Sequence, residues 1–313
     1  MTTKVAQLDI GERLQAEESL GFKIRKSKIS YLMIAPYFIL FFMFTVMPVL
    51  ISVFFSFTYF DMHSMPQFIG WNNYARLLLE DDIFIVALRN TLLLAVVTGP
   101  VSYLLCVLFA WIINEFRGFV RALLTLVFYA PSISGQAFLV WNIILSGDRY
   151  GYLNGILTRM GIIDEAILWM TTEKYIIPFL IVVQLWLSLG TGFLAFIAGL
   201  QTVDKSMYEA GAIDGVRNRW QELWYLTLPA IKPQLMFGAI MQITTSFAIA
   251  DVSLFLAGNP SVNNAGATIV THLLDFGGIR FEMGYASAIA TILFLLMVGT
   301  NKAVQRLLRK VGD

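Results

Sequence analysis

Residues 201–233, QTVDKSMYEAGAIDGVRNRWQELWYLTLPAIKP, lie between two strongly apolar segments and carry too much pattern for a bare connection. Met207, Ala210, Ala212 and Ile213 alternate with Glu209, Asp214 and Arg217 at spacings of three and four, which predicts an amphipathic helix. Gly215 permits a turn after it. Trp220, Leu223 and Trp224 then predict a second short apolar face. Leu228-Pro229 and Pro233 mark the return into an apolar environment. A polar loop of this design reads as a docking surface for a partner.

Working outward, the rest of the chain is a membrane domain. Of 313 residues 58% are hydrophobic and 14% charged, with a mean hydropathy of +0.71, outside the range of ordinary soluble domains. The single cysteine, Cys106, falls in an apolar run and reads as a packing residue. Six segments are long enough to span ~30 Å of hydrocarbon at 1.5 Å per residue: 31–59, 88–113, 120–146, 176–200, 234–257 and 284–306. The first carries Pro36 and Pro48, so a kink or tilt is expected there. Its length and polar preamble argue against a cleavable signal peptide.

Basic residues set the expected orientation. Of 22 Lys and Arg, six fall in 1–30, two in 114–121, four in 201–233 and four in 301–313. The positive-inside rule therefore places these segments, both termini and the 201–233 loop in the cytoplasm. The expected organisation is a cytoplasmic segment 1–30, a six-helix domain 31–306 and a tail 307–313. Residues 60–87 predict a short interfacial helix through Leu77, Leu78, Ile83, Phe84 and Ile85. His63 and His272 read as water-facing loop residues.

Tyr208-Glu209-Ala210-Gly211-Ala212-Ile213-Asp214-Gly215, followed by Leu226-Thr227-Leu228-Pro229, resembles the EAA coupling loop of binding-protein-dependent ABC importers. Trp220-Gln221-Glu222-Leu223-Trp224 is similar to the carbohydrate branch, the maltose-type permeases. Further agreement comes from Phe68-Ile69-Gly70 with Asn73-Tyr74, Arg89-Asn90-Thr91, Gly151 with Asn154, and Gly284-Tyr285-Ala286-Ser287-Ala288. Two positions depart from that pattern. Gly211 stands where the family has a second alanine, at a helix-propensity cost of about 1 kcal/mol, and the interval from Gly215 to Pro229 is one residue longer.

The resemblance implies an all-α polytopic fold of six transmembrane helices with a cytoplasmic coupling loop, the type I ABC importer permease fold. It implies the inner or plasma membrane of a prokaryote. It also implies a second related permease subunit, two cytoplasmic ATPase subunits that bind ATP and Mg, an extracytoplasmic solute-binding protein, and a carbohydrate as cargo. No cofactor, metal site or nucleic acid is expected for this chain. Carried over residue by residue, the coupling set is Glu209, Ala210, Gly211, Asp214, Gly215, Leu228 and Pro229. Glu209 would pair with a basic residue of the ATPase.

The residues themselves exclude other chemistry. No GxxxxGK[ST] occurs, so ATP hydrolysis is not expected here, and neither HExxH nor GxSxG is present. Polar groups in spans are costly and face cavities or partner helices. Gln136, Trp141 and Asn142 in the third span, Gln184 and Trp186 in the fourth, and Gln242, Thr245 and Asp251 in the fifth are the types that hold sugar hydroxyls. The same types also serve helix–helix hydrogen bonding and interfacial anchoring. The basic tail (Lys302, Arg306, Arg309, Lys310) reads as an anchor at anionic lipid headgroups. The alternative class is an ion-coupled secondary transporter of a small polar solute, for which Asp251 would be the coupling group.

Overall fold

A computed structural model describes residues 27–309. The readings of 1–26, including the polar N-terminal segment, and of residues 310–313 lie outside the described residues. Residues up to Phe54 and those from Phe55 onward form two separate compact units. The first contributes one helix, α1 (Lys28–Phe55), which is continuous except for a π-helical turn at Phe42–Val46. A π-turn is an expected way to absorb irregularity in a proline-bearing span, and here it lies between Pro36 and Pro48. No residue of α1 is buried.

The second unit opens with a two-residue ribbon, β1 (Thr58–Tyr59) against β2 (Gln67–Phe68), antiparallel with Thr58 opposite Phe68. Then follow α2 (Asn72–Leu79), α3 (Asp82–Asn114), α4 (Gly118–Ile133), α5 (Val140–Ile144), α6 (Tyr152–Arg159), α7 (Glu173–Leu187) and α8 (Thr191–Thr202). The loop singled out above holds α9 (Lys205–Ile213), α10 (Arg219–Gln221) and α11 (Leu228–Ala230). The remainder is α12 (Lys232–Phe247), α13 (Asp251–Leu256), α14 (Ile269–Leu274) and α15 (Met283–Arg309). Among the described residues five helical segments are long and apolar enough to cross a membrane, and a sixth span exists if the bent pair α4 and Ala137–Ile144 counts as one.

The central element is α3, which packs against α7, α8, α12 and α14. It starts at Asp82, six residues before the expected 88, because Asp81 caps it: the side chain accepts from Phe84 N at 2.9 Å. The expected interfacial helix accordingly divides. Leu77 buries in α2, Phe84 buries in α3, and Leu78, Ile83 and Ile85 stay exposed.

The third span is where expectation and structure differ most. An unbroken helix over 120–146 is expected; the chain instead bends by 84° between Gly118–Ile133 and Ala137–Ile144. Pro131 removes one ladder hydrogen bond, and Gly135, at φ +62°, takes a left-handed conformation that ends the helix. The fourth and fifth spans are interrupted as well, at 188–190 and 248–250.

His272 is the other correction. It is buried, in α14, with Nε2 2.8 Å from Asp81 Oδ2, while the Tyr285 hydroxyl donates to the same oxygen at 2.6 Å. Arg76 stacks over the Tyr285 ring at 4.2 Å and pairs with Glu282 at 2.7 Å. Burial opposes ionisation of Asp81. Hydrogen bonds from Tyr285, the Phe84 N–H and His272 outweigh it, and the carboxyl lies below its ordinary value. His63 is exposed, as expected.

The motif asparagines fasten the connecting loops. Asn73 donates to Ser56 O and Thr58 O, both at 2.9 Å, and holds the ribbon to α2. Asn90 donates to Ala265 O and Ala267 O at 3.0 Å, with Thr91 Oγ1 accepting from Ile269 N. Asn154 is wholly buried. It donates to Ser146 O, Asp148 O and Ile167 O and accepts from Ile167 N. A primary amide suits this work because it carries donors and an acceptor on one short arm.

Candidate functional site

Two features have the geometry of working sites: the 201–233 loop and a polar groove where spans three, four and five are interrupted.

In the loop, Asp204 caps α9, and the Ser206 N–H that it receives at 3.0 Å holds its carboxyl below the usual carboxylate range. The helix ends as a Schellman motif. Val216 N donates to Gly211 O at 2.9 Å and Gly215 N to Ala212 O at 3.4 Å, with Gly215 at φ +98°. Gly211 is buried against Leu226, whose Cδ1 would lie 2.6 Å from an added Cβ. The departure from alanine thus coincides with close packing of α9 on the following π-helical turn, Glu222–Thr227. Tyr208 Oη and Thr227 Oγ1, 3.0 Å apart, tie the two together.

α9 leaves Lys205, Ser206, Glu209, Ala210, Ala212 and Ile213 outward, the last 88% exposed. Asp214 and Pro229 are exposed too, and Leu228 is half-buried. The loop is braced to the short turn after α3: Arg219 bonds Glu115 at 2.9 Å and Glu222 at 2.7 Å, and Trp220 packs on Trp111 at 5.3 Å. α9 thus presents an exposed isoleucine beside a carboxylate, on a helix held from behind.

The groove consists of two adjoining cavities of about 220 and 180 Å³ that share Ser132, Gln184 and Leu187. Gln242 and Thr245 line the first and Asp251 the second. The helix breaks account for its existence. A break frees backbone carbonyls that a membrane interior cannot solvate, so side chains must take them. Gln242 does so, donating to Ser188 O at 3.0 Å while its own carbonyl accepts from Ser102 at 3.1 Å. Thr268 does the same for Ile249 O at 2.7 Å.

The eight span candidates therefore separate. Gln242 is buried and engaged with Ser188, Ser102 and Cys106. Among the described residues no hydrogen bond engages the Gln184 side chain, which faces both cavities. Thr245 and Asp251 are exposed on the groove. Gln136, Trp141, Asn142 and Trp186 line neither cavity: Gln136 and Asn142 are exposed elsewhere, and Trp141 packs edge-on to Trp186 at 6.0 Å. Sequence reasoning missed Tyr129, Ser132 and Thr191, which also line the groove. The available signal was Tyr129 and Ser132 on one helical face three residues apart, beside Pro131.

No family model matches the chain. It is 30% identical over 280 residues to YesP of Bacillus subtilis, a probable ABC transporter permease protein, covering 88% of each chain. It is 30% identical over 279 residues to the arabinooligosaccharides transport system permease protein AraP of the same organism, covering 87% of this chain and 86% of that one. The lactose transport system permease protein LacF of Rhizobium radiobacter is 29% identical, with coverage of 85% and 89%. A solved bacterial ABC transporter involved in import of the acidic polysaccharide alginate superposes with a TM-score of 0.74 at 21% identity, over 94% of this chain and 99% of that one. The alginate transporter in complex with an alginate pentasaccharide-bound periplasmic protein gives 0.72 at 22%, over 95% and 100%. The chain has the helical, multi-pass fold of these permeases and belongs to the family of carbohydrate ABC importer permeases.

Proposed function

We propose that this chain is one of two permease subunits in an importer that moves a saccharide delivered by an extracytoplasmic binding protein. Separate ATPase subunits, which bind ATP and Mg, dock on the 201–233 loop and drive it. The observation that carries the proposal is α9: a capped helix, fixed from behind by Tyr208–Thr227 and Arg219–Glu115, that turns Glu209 and Ile213 outward. A rigid lever of this kind transmits displacement, whereas a mobile loop would absorb it. Glu209 supplies the charged contact to a basic residue of the ATPase, Ile213 the apolar one, and Gly215 turns the chain away from the docked surface. Both termini lie in the cytoplasm on this reading, in agreement with the basic residues at 205, 217, 219 and 232 of the loop. The groove at the broken spans is the saccharide path, with Gln184 and Thr245 as hydroxyl partners.

The test is affinity purification of the tagged protein in mild detergent, wild type beside Glu209→Ala, with copurifying subunits identified by mass and ATP-dependent uptake assayed in proteoliposomes. Wild type retains an ATPase and a second permease, and Glu209→Ala loses ATPase on the order of tenfold, the weight of one charge-assisted contact. Absence of any ATPase, even after crosslinking, would sink the reading.

A further inference from the structure

The charge of the groove bears on which saccharides can use it. The relatives and neighbours named above include permeases for neutral sugars and a transporter of an acidic one, so family membership leaves this open. In this chain the two cavities are lined by hydroxyls, amides and apolar groups, and no lysine or arginine lines either. The one carboxylate is Asp251, exposed at the start of α13 beside the 248–250 interruption. Among the described residues no ion pair or hydrogen bond engages its side chain. By contrast, Asp81 holds Tyr285 and His272, Glu282 holds Arg76, and Glu115 and Glu222 hold Arg219.

We infer that this groove admits uncharged or amine-bearing saccharides and rejects uronates and other anionic ones, and that Asp251 sets the selection. The inference rests on the groove being the saccharide path. An unpaired carboxylate within a membrane span is costly and marks a solvent-filled or ligand-filled route. Low-dielectric walls concentrate its field along the cleft. A neutral glycan turns that field to use, because each hydroxyl proton can be donated to a carboxylate with about four acceptor positions. A uronate brings a second negative charge into the same space, where no lysine or arginine lines the cavities to offset it. Gln184, which faces both cavities, offers its amide to either kind and so does not discriminate.

The experiment reads the groove's potential directly, without ATP or binding protein. Ser132 belongs to both cavities, and the native Cys106 is buried, so the parent protein serves as the blank. Ser132→Cys is made in two backgrounds, Asp251 and Asp251→Asn. Each is purified with its associated subunits, and its rates of reaction with a cationic (trimethylammonium-ethyl) and an anionic (sulfonatoethyl) methanethiosulfonate are compared. With Asp251 present the cationic reagent is favoured, and Asp251→Asn lowers the cation-to-anion ratio on the order of tenfold. Asp251→Lys lowers it further. A ratio indifferent to both substitutions overturns the inference, as does a Ser132→Cys thiol that neither reagent reaches. A substrate screen that returned a uronate oligosaccharide as the preferred cargo would also overturn it. Charge-selective labelling in a protein that retains no ATPase would leave the electrostatics standing and remove the importer; ATP-driven uptake with an indifferent ratio would do the reverse.

Discussion

Asp81 shows how one residue can join three elements. Its two carboxylate oxygens cap α3 at Phe84, receive the Tyr285 hydroxyl of α15 and meet His272 of α14. Because hydrogen bonding outweighs burial, its folded pKa lies below the unfolded value of about 3.9. The sign follows: its stabilisation is complete above that value and is lost as pH falls through the lower folded one. Asp81→Asn is expected to cost about 1–3 kcal/mol at pH 7. The gap to wild type should begin to narrow once thermal unfolding in detergent is carried below about pH 4. A gap that stayed constant to pH 3 would show that the charge contributes nothing. His272 was misread because its partner lies 191 positions away in the chain.

At the scale of elements, the interruptions in spans three, four and five both create the groove and determine what must hold it open. Gln242 and Gln184 have the same side chain and line the same cavity, yet their contacts differ. Gln242→Leu removes a donor to Ser188 O and the acceptor of Ser102, and should destabilise the protein by about 1–3 kcal/mol. Gln184→Ala removes no hydrogen bond, so stability should stay within about 0.5 kcal/mol of wild type while saccharide uptake falls on the order of tenfold, one lost hydrogen bond to cargo. Melting curves and initial uptake rates on the same preparations check both. Equal effects of the two variants on both readouts would erase the distinction. Hydropathy located the apolar segments because it averages over about twenty residues. It passed over the breaks for the same reason: Ser134-Gly135-Gln136, Ser188-Leu189-Gly190 and Ala248-Ile249-Ala250 are too short to lower a window mean.

For the molecule as a whole, orientation is the testable property. Tyr150 is 94% exposed in the loop between α5 and α6 and Ile213 88% exposed on α9. With Cys106 buried as a silent background, Tyr150→Cys should label with a membrane-impermeant maleimide in intact spheroplasts. Ile213→Cys should label only after permeabilisation. The opposite pattern would invert the topology and remove the docking role of α9. Residue types alone determined the membrane class, the placement of the apolar segments and the family resemblance, because apolar length and short motifs are local quantities that survive without any fold. The sequence also supplied Asn73, Asn90 and Asn154 as family landmarks, though without a purpose for them. Only the tertiary structure decided that purpose, the pairing of His272 with Asp81, and the separation of Gln184 and Asp251 from Gln242 and Trp141. Each depends on which backbone carbonyls the helix breaks leave unpaired and which side chains, far away in the chain, are near enough to take them.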